Sequence, residues 1–101
     1  MARRIGQLSV AFRRALVKLG PAGSPQRLAA GAGVSALMSA EELPGRVDSR
    51  ISFEPGFAYA RRVPGRNLWL LYRFDATTLD VLALRDSPPV PHDGNEGGEA
   101  G

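Results

Sequence analysis

The chain has 101 residues, a formal charge of +3 and no cysteine. That length holds one domain and leaves no room for a large cofactor fold such as a doubly wound dinucleotide domain. The lack of Cys removes disulfides, thiolate zinc sites and cysteine nucleophiles, and the single histidine, His92, removes multi-histidine metal centres and argues against a Ser-His-Asp triad. No metal or cofactor is expected, and any catalysis must come from arginine, lysine, tyrosine or carboxylates.

Charge is unevenly spread. Residues 1–40 hold Arg3, Arg4, Arg13, Arg14, Lys18 and Arg27 and no acid, whereas 86–101 hold Asp86, Asp93, Glu96 and Glu99 and no base. The first 85 residues therefore carry +7, masked in the whole chain by an acidic end. Such a domain attracts polyanions, RNA or DNA first among them, and an acidic protein is a further partner class. Twelve of the 13 basic residues are Arg. That bias fits GC-rich bacterial coding, and it also fits a surface that grips phosphate with a fixed fork. Met-Ala-Arg-Arg is followed by no apolar run of signal-peptide length, and no stretch approaches the ~20 apolar residues of a membrane span. The sequence reads as cytoplasmic, with no membrane partner.

In chain order, residues 3–8 are compatible with a short strand. LSVAFRRALVKL at 8–19 reads as a helix, with Leu8, Phe12, Ala15, Leu16 and Leu19 on one face, Ser9 as its cap and Gly20-Pro21 as its stop. Ser24-Pro25 opens a second helix over about 25–42, with a stripe of Leu28, Ala32, Ser35 and Met38 edged by Val34 and Leu37. Gly31 and Gly33 weaken it by about 1 kcal/mol each relative to Ala, and also allow close backbone packing. The period then changes to two. FAYARRV at 57–63, LWLLYRF at 68–74 and LDVLAL at 79–84 read as strands joined by the turns PGRN and DATT, an antiparallel three-stranded meander. In the middle strand Leu68, Leu70, Tyr72 and Phe74 face one way, and Trp69, Leu71 and Arg73 the other. Both sets are largely apolar, so this strand should be central and covered by helices on one side. Residues 87–101 are rich in Pro, Gly and acid and are expected to be a disordered tail. The expected fold is α+β, two helices on a small antiparallel sheet, with the domain at 1–86.

Two stretches carry a family resemblance. LSVAFRRALVKLG is similar to the first helix of the RelE/ParE superfamily of toxins from bacterial type II toxin–antitoxin systems, which typically ends in a Lys-Leu pair, here Lys18-Leu19. ARRVPGRNLWLLYRFDATTLDVLAL resembles that family's core hairpin: an Arg-Val strand, a strand ending in Tyr, an acidic turn and an apolar strand. The resemblance spans residues 3–86. It implies a toxin held inactive by a cognate antitoxin protein. RelE-like members cut mRNA, usually on the ribosome, and ParE-like members inhibit DNA gyrase without a nuclease site.

Metal-independent RNA cleavage needs a 2′-hydroxyl deprotonated, charge on the phosphate stabilised and the leaving oxygen protonated, which arginines with a Tyr or Lys can supply. The resemblance places Arg62 at the family's first cationic strand position and Tyr72 at its strand tyrosine, and Arg85 matches the basic residue after the last strand. The family's central-strand arginine falls on Trp69, a departure. Arg73 shares a strand face with Trp69, so the two are a candidate base-stacking and phosphate patch. Arg62, Tyr72, Arg73 and Arg85 are thus the candidate catalytic residues, with Arg61, Arg66, Trp69 and Lys18 as candidate RNA contacts. Arg61, Arg62 and Arg66 form the tightest cationic cluster in the sequence. Each has a structural alternative: a core role for Tyr72, packing for Trp69, surface ion pairs for Arg73 and Arg85. A small basic RNA-binding domain unrelated to toxins is the remaining possibility.

Overall fold

A computed structural model describes residues 4–53 and 56–89. Among these residues two helices and five strands follow in the order β1 (Ile5–Leu8), α1 (Val10–Leu19), α2 (Pro25–Met38), β2 (Ser49–Ser52), β3 (Phe57–Arg62), β4 (Trp69–Phe74) and β5 (Thr78–Arg85). The sheet order is β1-β5-β4-β3-β2. The strands expected over 57–63, 68–74 and 79–84 are β3, β4 and β5, and they run antiparallel. They are not the whole sheet. β2 adds a further antiparallel strand, and β1 pairs in parallel with β5, so the sheet is five-stranded and mixed rather than small and antiparallel. Of the expected tail only 87–89 falls among the described residues, and His92 lies outside them.

Capping chemistry sets the helices. The Ser9 hydroxyl oxygen accepts from the Phe12 amide at 3.0 Å and donates to the Leu82 carbonyl at 2.7 Å, so the cap of α1 also ties it to β5. Gly20, at φ 133°, ends α1 in a conformation that disfavours side chains. Ser24 caps α2, with Pro25 in its first turn. This helix ends at Met38, short of the expected 42, with Ser39 as its C-cap.

The sheet's two faces differ. On one, α1 and α2 cover Leu68, Leu70, Tyr72, Leu79 and Val81, joined by Phe12, Leu37 and Val63. Full burial of each large apolar side chain there is worth about 2 kcal/mol. The other face has no helix over it among the described residues, and holds a smaller cluster of Ile51, Ala58, Ala60 and Leu71 flanked by Phe53, Trp69, Leu82 and Ala83. β4 lies in the middle of the sheet and supplies both clusters, as its alternation predicts.

The packed face of α2 agrees with the expected stripe in part: Met38, Val34 and Leu37 meet the core, but the stripe's other members do not. Ala30, Gly33 and Leu37 are buried, while Leu28 is 61% exposed and Ala32 and Ser35 face outward. Closeness of backbones explains the shift. A Cβ on Gly33 would stand 2.9 Å from Leu70 Cδ1, so glycine lets the helix settle on β4. Small residues make this contact, and an apolar-residue count does not register them.

One irregularity matters for the site. Leu71 pairs with Ala83 and Tyr72 with Val81, which leaves Leu82 as an extra residue in β5. This bulge reverses the alternation beyond it. Without it Arg85 would fall in phase with Leu79 and Val81. With it, Arg85 stands opposite Trp69.

Candidate nucleic-acid interface

Three consecutive strands place Arg62, Trp69 and Arg85 side by side. Arg62 pairs in register with Trp69, and Trp69 with Arg85. At the usual strand spacing this row spans about 10 Å. The Arg62 guanidinium lies 5.6 Å from the Trp69 ring centroid. Its position is held from the turn: Nε donates to the Arg66 carbonyl at 2.9 Å, and Nη2 to Asn67 Oδ1 at 3.3 Å. Arg62 and Arg85 are exposed and Trp69 is half-buried.

Two adjoining recesses lie at the same end of the sheet on its helix-covered side, and of the row only Arg85 borders them. One, of about 500 Å³, is lined by α1 residues Arg14 and Lys18 together with Leu84, Arg85 and Asp86. The other, of about 530 Å³, is lined by Lys18, Gln26, Arg66, Asn67 and Asp86. Leu19 and Leu68 belong to both floors. Among the described residues, Arg14, Lys18, Arg66 and Arg85 make no ion pair or hydrogen bond through their side chains. Unneutralised cations along a groove form an electrostatic track, which Arg85 joins to the Trp69 ring on the other face of the sheet, a candidate stacking platform. Among the described residues no group of three His, Cys, Asp or Glu is placed to hold a metal ion, and no helix is long and apolar enough to cross a membrane.

Arg61 and Tyr72 stand elsewhere. Alternation along β3 turns Arg61 to the helix side, where it forms a bidentate pair with Asp48: Nε to Oδ1 at 2.7 Å and Nη2 to Oδ2 at 2.9 Å. Oδ2 also accepts from the Gly45 amide at 2.7 Å and from the Tyr72 hydroxyl. The Asp48 side chain has no exposed surface, that of Arg61 is 19% exposed, and Tyr72 is fully buried. Gly45 is needed for this approach, since a Cβ there would collide with Arg61 Nη2. Burial alone would raise the Asp48 pKa, but the bonds from Arg61, Tyr72 and Gly45 outweigh it and hold the carboxyl below its usual range. The Tyr72 phenol is pushed well above its ordinary value, first by burial and then by its bond to the Asp48 carboxylate. The expected cluster of Arg61, Arg62 and Arg66 is therefore divided. Arg62 and Arg66 belong to the open rim, while Arg61 closes an interior network together with Tyr72, where neither meets the recesses.

Arg73 shares the helix-free face with Trp69, but four residues along a strand separate them by about 13 Å. It donates to the Phe57 and Phe53 carbonyls, both at 2.9 Å, and lies 5.5 Å from the Phe53 ring centroid. It stands opposite Asp80 in the ladder, at the far end from Trp69. Four residues of these sites escaped sequence reasoning: Arg14, Asn67, Gly45 and Asp48. Arg14 had a signal, being one helical turn before Lys18. Asp48 had none, since its partners stand 13 and 24 residues away.

Compared with protein-family models, with curated proteins and with solved structures, the chain matches none.

Proposed function

We propose that this chain is the toxin of a bacterial type II toxin–antitoxin system, of the RelE/ParE kind, and that it acts in the cytoplasm as an mRNA endoribonuclease. The observation that carries this reading is the cross-strand row Arg62–Trp69–Arg85, whose Arg85 also borders a groove with Arg14 and Lys18. A single RNA strand laid along it stacks a base on Trp69 and sets a phosphate between Arg62 and Arg85. When the 2′-oxygen attacks that phosphate, negative charge builds on its non-bridging oxygens, and two preplaced guanidinium groups lower that barrier. Tyr72 is enclosed, so water accepts the 2′-hydroxyl proton as the P–O5′ bond breaks and water protonates the leaving 5′-oxygen, which yields a 2′,3′-cyclic phosphate and a 5′-hydroxyl. The cognate antitoxin, in this reading, covers the same cationic groove with carboxylates.

One observation favours a second reading. By the resemblance Trp69 falls where the family carries its central-strand arginine, and Tyr72 is sealed against Asp48. A ParE-like inhibitor of DNA gyrase, which cuts nothing, needs neither group. Expression in a bacterial host separates the two. Growth arrest with rapid loss of mRNA, relieved by Arg62→Ala with Arg85→Ala, is the expected result. Arrest with filamentation and DNA damage but intact mRNA would support the gyrase reading. Normal growth without an antitoxin would overturn both and leave a basic RNA-binding domain.

A further inference from the structure

The end of the sheet opposite the basic row carries a second grouping of rings and cations. Phe57, Tyr59 and Phe74 share one face by register. The Tyr59 centroid is 5.6 Å from that of Phe74, with planes 37° apart, and 5.8 Å from that of Phe57, which meets it edge-on. A recess of about 340 Å³ lies against them, lined by Gly56, Phe57, Tyr59, Arg73 and Phe74. Arginines from the two outer strands' neighbourhoods close over the ends of this shelf. Arg50 lies 4.0 Å from the Phe57 centroid and Arg4 5.1 Å from that of Phe74.

These groups have unused bonding capacity. Among the described residues, the Arg50 guanidinium and the Tyr59 hydroxyl have no hydrogen-bond partner, and Arg4 uses only its Nε, on the Asp75 carbonyl at 2.7 Å. Phe57 is 36% exposed although it is a large ring in a small protein. A flat aromatic ligand satisfies the ring faces, and an anionic group satisfies the guanidinium, whose planar fork matches phosphate. An acidic peptide without a ring would answer only the charge.

We infer that the Phe57–Tyr59–Phe74 shelf, with Arg50 and Arg4 at its ends, is a second binding surface for a nucleoside phosphate, distinct from the Arg62–Trp69–Arg85 row. The base lies on the shelf and the phosphate takes the Arg50 guanidinium, with Tyr59 as a hydroxyl donor. A free mononucleotide reaches one arginine, and a strand of several nucleotides reaches both.

The test uses the full chain carrying Arg62→Ala and Arg85→Ala, so that loss of the first row does not enter. Backbone amide shifts are followed by NMR while AMP, a short oligoadenylate or an oligoglutamate is added. AMP and the oligoadenylate should move residues 50, 57, 59 and 74. Tighter binding of the oligoadenylate identifies a strand-binding surface, and equal affinity a mononucleotide site. Adding Phe57→Ala should weaken binding roughly tenfold, the modest end of what removing one base–ring stack costs. Arg50→Ala, at an exposed position, repeats the test without touching the rings. Absence of shifts at these residues with both nucleotide probes would overturn the inference, as would equal shifts with oligoglutamate.

Discussion

Arg61 and Arg62 are neighbours in the chain and opposites in the fold. Arg61 points under the helices into a carboxylate that also takes a tyrosine hydroxyl and a backbone amide. Arg62 points the other way, fixed by a turn carbonyl and an asparagine but, among the described residues, with no carboxylate paired to it. The difference between them is one step of strand alternation. One charge is neutralised inside and stabilises the fold, and the other stays uncompensated and is available to a polyanion. Residue type alone does not distinguish these roles, but the face of the strand does.

The largest effect should come from the interior side. Asp48→Ala leaves the Arg61 guanidinium without its counter-ion and the buried Tyr72 hydroxyl without an acceptor. Breaking such an enclosed pair costs about 3 kcal/mol, a large share of the roughly 5–15 kcal/mol that holds a domain together. Urea denaturation should show the midpoint falling with little change in slope. A loss under about 1 kcal/mol would mean that the network is incidental. The pH dependence carries the same signature. Asp48 titrates lower in the folded chain than its ordinary 3.8. Between the two values the unfolded chain holds the extra proton, so this contribution is complete above the ordinary value and is lost as pH falls through the folded one. Asp75, held low by the Thr77 and Thr78 amides, acts in the same window, so Asp48→Asn should shrink the acid-side slope without abolishing it. Tyr72 acts at the other end. Its folded pKa is raised, so its contribution is complete below the ordinary 10.0 and is lost as pH rises beyond it.

On the exposed side the double change Arg62→Ala with Arg85→Ala should leave stability within about 0.5 kcal/mol. It should weaken single-stranded RNA binding roughly thirtyfold, about 2 kcal/mol, and lower the salt slope by about 0.7 for each phosphate no longer neutralised. Arg61→Ala should do the reverse, destabilising the fold while the salt slope holds. Titration of a labelled oligonucleotide at several salt concentrations checks both. If Arg61→Ala changed the slope as much as Arg62→Ala, the division between the two arginines would fail.

The same alternation decides what was legible. In 68–74 both faces are apolar but differ in kind, and the division of Tyr72 and Trp69 onto opposite faces agrees with the two clusters. FAYARR contained the same information, with Phe57, Tyr59 and Arg61 in one phase and Ala58, Ala60 and Arg62 in the other, yet proximity in sequence grouped the arginines. β2, SRIS, is too short and polar to signal a strand, and its pairing with β3 is a tertiary fact. The contact face of α2 joins Ala30 and Gly33 to Leu37, and periodicity of large residues passes over the two small ones. The bulge at Leu82 was invisible because LDVLAL is apolar in both phases, so the side to which Arg85 turns could not be read ahead of the ladder. The acid that engages Arg61 and Tyr72 comes from a loop, and no local pattern announces it.

Tyr72→Phe tests the boundary between the two regions directly. The ring stays and only the hydroxyl goes, so about 1 kcal/mol of stability should be lost, the usual net worth of one hydrogen bond. RNA affinity and any cleavage rate should be unchanged. Loss of cleavage at unchanged stability would instead mean that Tyr72 reaches substrate, and the interior network would have to open during the reaction.

The smallest expected effect lies at Asn67. Its side-chain oxygen meets Arg62 Nη2 at 3.3 Å on an exposed turn, so Asn67→Ala should cost only a few tenths of a kcal/mol in stability. The loss should appear in binding. Arg62 keeps its bond to the Arg66 carbonyl but loses one of two restraints, and its guanidinium must then be ordered by the ligand instead of by the turn. Ordering one long side chain costs about 0.5–1.5 kcal/mol, which predicts a several-fold weaker RNA affinity. The number of phosphates engaged does not change, so the salt slope should stay at its original value. That separates Asn67 from Arg62, whose removal lowers both. A reduced slope in Asn67→Ala would show that the turn touches the strand itself, and the positioning role assigned to Asn67 would be wrong.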